Sequence, residues 1–227
     1  MEKNYILKLE DITKTYTIGH IQIPVLKKIS LAIEKGMHIS LMGPSGSGKT
    51  TLLNILGCLD KPTTGRYFID GKEVSSLSDD ELSEIRSKKI GFIFQSYNLI
   101  PHLTVIENIG LPLFYQGIDE KVITQKAIEM AEMVGLGDRL KHKPTELSGG
   151  QQQRVAIARA LINNPAFILA DEPTGNLDTK TGKEIMELLK KLNEEQGTTL
   201  FIVTHDSNIA SYGKATVRIL DGEIVSG

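Results

Sequence analysis

The stretch Gly43-Pro44-Ser45-Gly46-Ser47-Gly48-Lys49-Thr50 constrains this chain more than any other. It reads G-x-x-x-x-G-K-[ST], the pattern of a loop that cradles phosphate between a strand and a helix. The flanking residues supply that frame. Residues 37–42 form a short apolar run, as a buried strand does. After the loop, Leu52, Ile55, Leu56 and Leu59 recur at i, i+3, i+4 and i+7, which predicts a helix with one apolar face. Gly43, Gly46 and Gly48 let the backbone come close to a ligand, and the N–H groups then form an anion nest at a helix N-terminus. Lys49 can reach β- and γ-phosphates as a point charge, and Thr50 can offer its hydroxyl to Mg²⁺. A nucleoside triphosphate site is expected.

With 227 residues, 40% of them hydrophobic, the chain can bury one large core or a core with a subdomain. A net charge of −2 argues against a general polyanion binder, so no nucleic-acid partner is expected. The single cysteine, Cys58, excludes an internal disulfide and reads as a small buried residue on the helix after the loop. Met1-Glu2-Lys3-Asn4-Tyr5 has no apolar leader, and no run approaches the roughly 18 apolar residues of a membrane span. A soluble, cytoplasmic protein is expected.

Along the chain, 5–10 and 21–33 alternate like strands, and 66–71 reads as a strand ending in an Asp-Gly turn. Residues 79–88 are charged and helical in pattern, and 90–94 form an apolar strand ending at Gln95. From 96 to 140 there is no strand signal. Ala127, Met130, Ala131 and Val134 share one helical face that Gly135 and Gly137 close. A helix from 148 runs through 155–162, and an α/β rhythm then resumes. A strand at 166–170 is followed by a helix marked by Ile185, Leu188, Leu189 and Leu192. A strand at 198–203 and a hairpin across Asp221-Gly222 close the pattern. Apolar strands alternating with helices predict a largely parallel sheet covered on both faces.

Several other residues carry chemistry. Asp171 and Glu172 end a strand, where one carboxylate can serve Mg²⁺ and the other can polarise a water for attack on a γ-phosphate. His205 also ends a strand, where it faces the ligand edge of a parallel sheet or is an ordinary structural histidine. Gln95 ends a third strand. Leu147-Ser148-Gly149-Gly150-Gln151 places a second glycine pair before a helix. It is either a plain helix cap or an anion site facing a nucleotide held by another copy of the chain.

Together these residues resemble the ATP-binding subunit of an ABC transporter over nearly the whole chain. The segment 43–50 looks like Walker A, 147–151 matches the signature sequence and 167–171 looks like Walker B. Glu172 is similar to the catalytic glutamate, Gln95 falls at the Q-loop, Asp178 is similar to the D-loop aspartate and His205 matches the switch histidine. Tyr16 is similar to the aromatic that stacks on adenine.

The resemblance implies a P-loop NTPase (RecA-like) α/β core, an N-terminal antiparallel β subdomain and an inserted helical subdomain. The expected division is 1–95 and 156–227 for the β subdomain and core, and 96–155 for the helical part. It implies ATP held by Tyr16, Gly43, Pro44, Ser45, Gly46, Ser47, Gly48, Lys49, Thr50 and Thr51, with Mg²⁺ on Thr50, Gln95 and Asp171. Glu172, His205 and Gln95 are the implied catalytic residues, and Asp178 belongs to the dimer contact. Ser148, Gly149, Gly150 and Gln151 would reach the ATP of a second, head-to-tail copy, which decides between the cap and the anion site.

Residues 56–63 and 94–101 are similar to the MacB/LolD-type group, whose members energise a separate or fused membrane permease for export of peptides, antibiotics or lipoproteins. The chain is then expected on the inner face of the membrane through its permease, with 97–103 helping to form the docking groove. Neither a C-terminal regulatory domain nor a fused membrane part is expected within it. An ATP-switched regulator of a membrane complex, in cell division or signalling, is the alternative. The nucleic-acid ATPases of this class need long coiled coils and the translation factors need two such domains; neither is present in the sequence.

Overall fold

The computed structural model describes residues 4–226; the charged opening Met1-Glu2-Lys3, which reads as no leader, lies outside them. The chain opens with two long strands, β1 (Tyr5–Ile18) and β2 (Ile21–Glu34). The first runs eight residues past the predicted stretch 5–10. Its distal half, rich in Thr and Tyr, is held by pairs such as Lys14↔Leu26 and Tyr16↔Ile23. That half is polar on both faces, so alternation does not reveal it.

Next come β3 (His38–Met42), α1 (Lys49–Leu56), β4 (Thr64–Ile69), β5 (Lys72–Glu73), α2 (Asp79–Lys89) and β6 (Ile90–Phe94). The predicted helical block is built from α3 (Val105–Tyr115) and α4 (Glu120–Met133), then a short 3₁₀ turn and α5 (Gly149–Leu161). Strands β7 (Phe167–Asp171) and β8 (Thr199–Val203) flank α6 (Thr179–Gln196). A short α7 (Ser207–Ala210) leads to the hairpin of β9 (Ala215–Leu220) and β10 (Glu223–Ser226).

Among the described residues the strands form two sheets. One is antiparallel, in the order β2-β1-β4-β5. The other has the order β10-β9-β3-β8-β7-β6 and is parallel except for the closing hairpin. This is the expected P-loop NTPase arrangement. The two-residue period of a strand divides the parallel sheet's apolar residues between two cores. Phe167, Leu169, Phe201 and Val203 face the core shared with α1 and the antiparallel sheet. Ile168, Ala170, Leu200 and Ile202 face the core shared with α3, α4, α5 and α6. Covering both faces explains why these strands read as unbroken apolar runs. Each fully buried Leu or Ile contributes about 1.5–3 kcal/mol.

One expectation is corrected. Leu59 and Cys58 do not belong to α1. Gly57 closes that helix, Cys58 turns to φ +53, and Leu59 is 52% exposed. The buried Tyr67 hydroxyl donates to the last carbonyl of the helix, at Leu56 (2.7 Å), so that end is already satisfied. Cys58 is buried, but in the turn, where burial pushes its thiol up to about 11. Among the described residues no helix is long and apolar enough to cross a membrane.

Candidate functional site

The parallel register brings the predicted residues to one edge. Leu41 lies beside Val203, Val203 beside Asp171 and Asp171 beside Phe94. The four strands therefore end in line. The residues just past their ends, Gly43, Thr204-His205, Glu172 and Gln95, emerge together at the carboxyl edge, where open α/β sheets bind ligands.

The phosphate loop is braced by the far end of the chain. A Cβ on Gly43 would lie 2.3 Å from the Ile219 carbonyl, and one on Gly48, at φ +103, would lie 2.8 Å from Leu26 Cδ2. Gly222 N–H donates to the Ser47 carbonyl (3.0 Å), and Lys27 N–H donates to the Gly222 carbonyl (2.8 Å). Lys49 Nζ spans the loop and donates to the carbonyls of Gly43 (2.8 Å) and Pro44 (2.7 Å). Pro44, Ser45, Gly46 and Thr50 are exposed to differing degrees, whereas Ser47 is buried with its Oγ unpartnered. No side chain caps α1, so its first-turn N–H groups remain unclaimed by a cap.

Asp171 ends β7. Burial, then the neighbouring Glu172 charge, push its carboxyl up, and the Lys49 ammonium pulls it back. The register of β7 on β8 and of β8 on β3 sets this acid at the same edge as the phosphate loop. Glu172 has φ +45, a conformation few side chains tolerate. Its carboxylate accepts from His205 N–H (3.0 Å) and Thr204 Oγ1 (3.2 Å), and lies 2.6 Å from His205 Nδ1. A carboxylate accepts only, so Nδ1 carries the proton of that contact. Donation to a phosphate from the ring's other nitrogen needs a doubly protonated ring or release from Glu172. His205 itself is 76% exposed at its side chain.

Gln95 points along the edge toward the segment after Glu172. Its Nε2 donates to Asn176 Oδ1 (3.2 Å), and Asn176 Nδ2 returns a bond to the Gln95 carbonyl (3.0 Å). A Cβ on Gly175 would strike that amide at 2.6 Å. Asp178 caps α6, accepting from Lys180 N–H, Thr181 N–H and Thr181 Oγ1 (2.6 Å), and the bonds from Thr181 above all hold its carboxyl below the usual range.

The second glycine pair begins α5. Ser148 Oγ accepts from Gln151 N–H (3.3 Å), and Gln151 Oε1 accepts from Ser148 N–H (2.9 Å), a complete capping box. Gly149 abuts the Tyr97 hydroxyl, and Gly150 abuts Thr181 Cγ2. Among the described residues no hydrogen bond joins 147–151 to the phosphate loop. The chain holds both motifs but does not bring them into one site.

Tyr16 stands on β1 with its hydroxyl donating to Asp60 Oδ2 (2.8 Å). Lys14 Nζ lies 4.8 Å from the ring centroid and 2.6 Å from Asp60 Oδ1. Burial above all, and then the bond to the Asp60 carboxylate, push the phenol up. Thr204, Asn176 and Asp60 are partners that sequence reasoning does not name. Thr204 precedes the strand-tip histidine and Asn176 lies in the D-loop-like stretch, but only the fold shows what their polar atoms touch.

Comparison with known proteins supplies the family and the fold relatives. The family description "ABC transporter" matches residues 26–175. An uncharacterised ABC transporter ATP-binding protein of Thermotoga maritima is 55% identical over 219 residues, covering 96% of this chain and 93% of that protein. The macrolide export ATP-binding/permease protein MacB of Syntrophobacter fumaroxidans is 50% identical over 221 residues, covering 96% of this chain and 31% of that longer protein. In space, the dimeric post-hydrolysis structure of the ATP-binding cassette MJ0796, bound to ADP and Pi, matches with a TM-score of 0.88 at 53% identity and 97% coverage of both chains.

Proposed function

The chain belongs to the ABC transporter family, and from that premise we propose that it binds and hydrolyses ATP to energise a separate membrane permease, through ATP-driven head-to-tail pairing of two copies. The cargo class is that of the MacB/LolD-type group: a peptide, an antibiotic or a lipoprotein to be exported. One observation carries the reading. The phosphate loop, Asp171-Glu172 and Thr204-His205 emerge at one sheet edge, while the second glycine pair caps a helix with no hydrogen bond to the loop. Such a chain owns two unlike halves of a site, and a second copy completes each.

The residues fit ATP with its metal. The loop leaves no room for a Cβ at Gly43, Ser47 Oγ has no protein partner, and α1 carries no side-chain cap. Thr50, Asp171 and Gln95 would hold Mg²⁺, which neutralises charge on the β- and γ-phosphates. Lys49 exchanges its two carbonyl bonds for phosphate oxygens. Tyr16 offers its ring to the adenine. Once free of His205, Glu172 orients a water and takes its proton as the water oxygen bonds the γ-phosphorus; ADP departs with the electrons of the broken P–O bond. His205, released from the same contact, is placed to steady the γ-phosphate. Ser148, Gly149, Gly150 and Gln151 present the α5 N-terminus to the γ-phosphate on the partner copy. Loss of that phosphate removes the bridge and the pair separates.

Residues 96–155 act as the helical subdomain and the remainder as the β subdomain and core, with α5 running unbroken across the boundary. The permease docks beside 97–103, where Asn98 lines a cavity of about 290 Å³ with Phe92, Phe94, Pro112 and Arg159. The deciding experiment is Glu172→Gln: an ATP-dependent dimer by analytical ultracentrifugation, with turnover lowered about a hundredfold or more. Equal turnover in both proteins removes Glu172 from the mechanism.

A further inference from the structure

Glu172 holds its unusual backbone angle immediately before a proline, and the residue before proline is restricted to extended conformations. A strained turn of this kind persists only where its surroundings over-determine it. Several restraints hold it. Glu172 N–H donates to the Val203 carbonyl (2.9 Å), Gly175 N–H donates to the Glu172 carbonyl (3.0 Å), and Thr204 and His205 hold the carboxylate. These come from β8, from the residues after it or from the turn itself. One comes from α5: Gln153 Nε2 donates to the Pro173 carbonyl at 2.6 Å.

Gln153 is fully buried, and its Oε1 has no partner. The contact with a carbonyl fixes which end of the amide faces the turn. A buried acceptor without a partner is a cost that an apolar side chain of similar shape would not carry. Gln153 also lies one turn beyond Gly149 and Gly150. It therefore ties the helix that begins at the second glycine pair to the turn that aims Glu172.

We propose that Gln153 is a positioning residue that makes the Glu172 carboxylate follow the position of α5. This rests on the paired-copy reading above. When Ser148 and Gly150 engage a nucleotide on the partner, α5 shifts, and the shift reaches Pro173 through the Gln153 amide. Each copy thus reports engagement of the partner's nucleotide to the glutamate that acts on its own. The coupling stays within one chain and joins the two ATP sites of the pair.

The test replaces Gln153 with Met in the full chain and measures ATPase activity against ATP concentration, with melting as the control. The exchange removes one unpartnered acceptor, Oε1, and creates another, the Pro173 carbonyl, so Tm is expected to stay within about 4 °C of the unmodified chain. Turnover should fall about tenfold with KM changed less than about twofold, as a displaced catalytic group gives. The Hill coefficient for ATP should drop toward about 1. Gln153→Leu repeats the point with a different shape. The proposal is overturned if kcat and the Hill coefficient are unchanged. It is also overturned if both variants fail to fold, which assigns the amide to stability. ATP-dependent dimerisation of Glu172→Gln separates this failure from that of the underlying reading. If that dimer forms while Gln153→Met behaves as the unmodified chain, only the inference falls. If it does not form and the unmodified chain has no activity, both fall.

Discussion

Helix α1 begins after Gly48, which has no side chain and a φ of +103, so the first-turn N–H groups have no cap. Helix α5 begins after Ser148, whose capping box with Gln151 is closed. Both starts are glycine-rich and both carry the positive end of a helix dipole. The first is left open by its own chain; the second is complete without a ligand. A further contrast sharpens this. The boxes of α2 and α3 close with Glu81 and Glu107, and bonds from Ser78 and Thr104 hold those carboxyls below the usual range. The α5 box closes with a neutral Gln. It places no negative charge where a phosphate of the partner would arrive. On the paired-copy proposal, the difference separates a site that binds from a surface that recognises what has been bound.

The largest effect is expected at the open end. Lys49→Ala removes the charge that spans the loop, and ATP affinity should fall on the order of a thousandfold by calorimetry, as loss of one partner of a close charge pair does. Retained affinity would move the binding site elsewhere.

Acid should act at the other end of the strand that carries the loop. His38 opens β3, the strand that leads into the phosphate loop; it is buried, and its Nε2 is unpartnered. Burial, then the nearby Lys214 charge, lower it to about 4 from 6.5. The unfolded chain therefore takes up the proton first as pH falls. Stability is full above about 6.5 and declines toward about pH 4, by up to about 3 kcal/mol. Urea midpoints measured across this window should fall, and the slope should flatten in His38→Gln. A slope that His38→Gln leaves unaltered would clear His38 of the effect.

At the closed end, Ser148→Ala should leave ATP binding by one copy within about twofold yet lower turnover about tenfold or more, since on the paired-copy proposal the missing hydroxyl would serve the partner's nucleotide. The lost cap adds about 1 kcal/mol of destabilisation. Equal losses of binding and turnover would erase the distinction between the two ends.

The smallest effect is expected of Gln151→Glu. The box survives, as in α2 and α3, but the added charge should weaken the ATP-dependent dimer about fivefold, more at low salt than at high. A salt-independent loss would point to shape and not to charge.

The elements of the site are legible because each carries its signal locally. Strand tips at Asp171 and Thr204, glycines before two helices and a lysine after one are visible in sequence. The hidden part depends on pairs far apart in the chain. Glu172 and His205 meet only because β7 and β8 are neighbours, and nothing in either strand states that. Gln153 reads as one of three successive glutamines, and only its burial and the Pro173 carbonyl set it apart. The end of α1 is misjudged from sequence for a related reason. The apolar period continues to Leu59, but Gly57 lies so close to the Phe92 ring that a Cβ would meet it at 2.6 Å, and the chain turns there.

Ile219 and Gly222 close around a loop that was made about 175 residues earlier, through the contacts at Gly43 and Ser47. During translation the phosphate loop emerges from the ribosome long before these walls exist. A nascent chain would hold the motif for many seconds without a site, at about 5–20 residues added per second. Nucleotide can then act on the folding of this protein only late, as a ligand that seals a finished sheet and not as a template for its first strands.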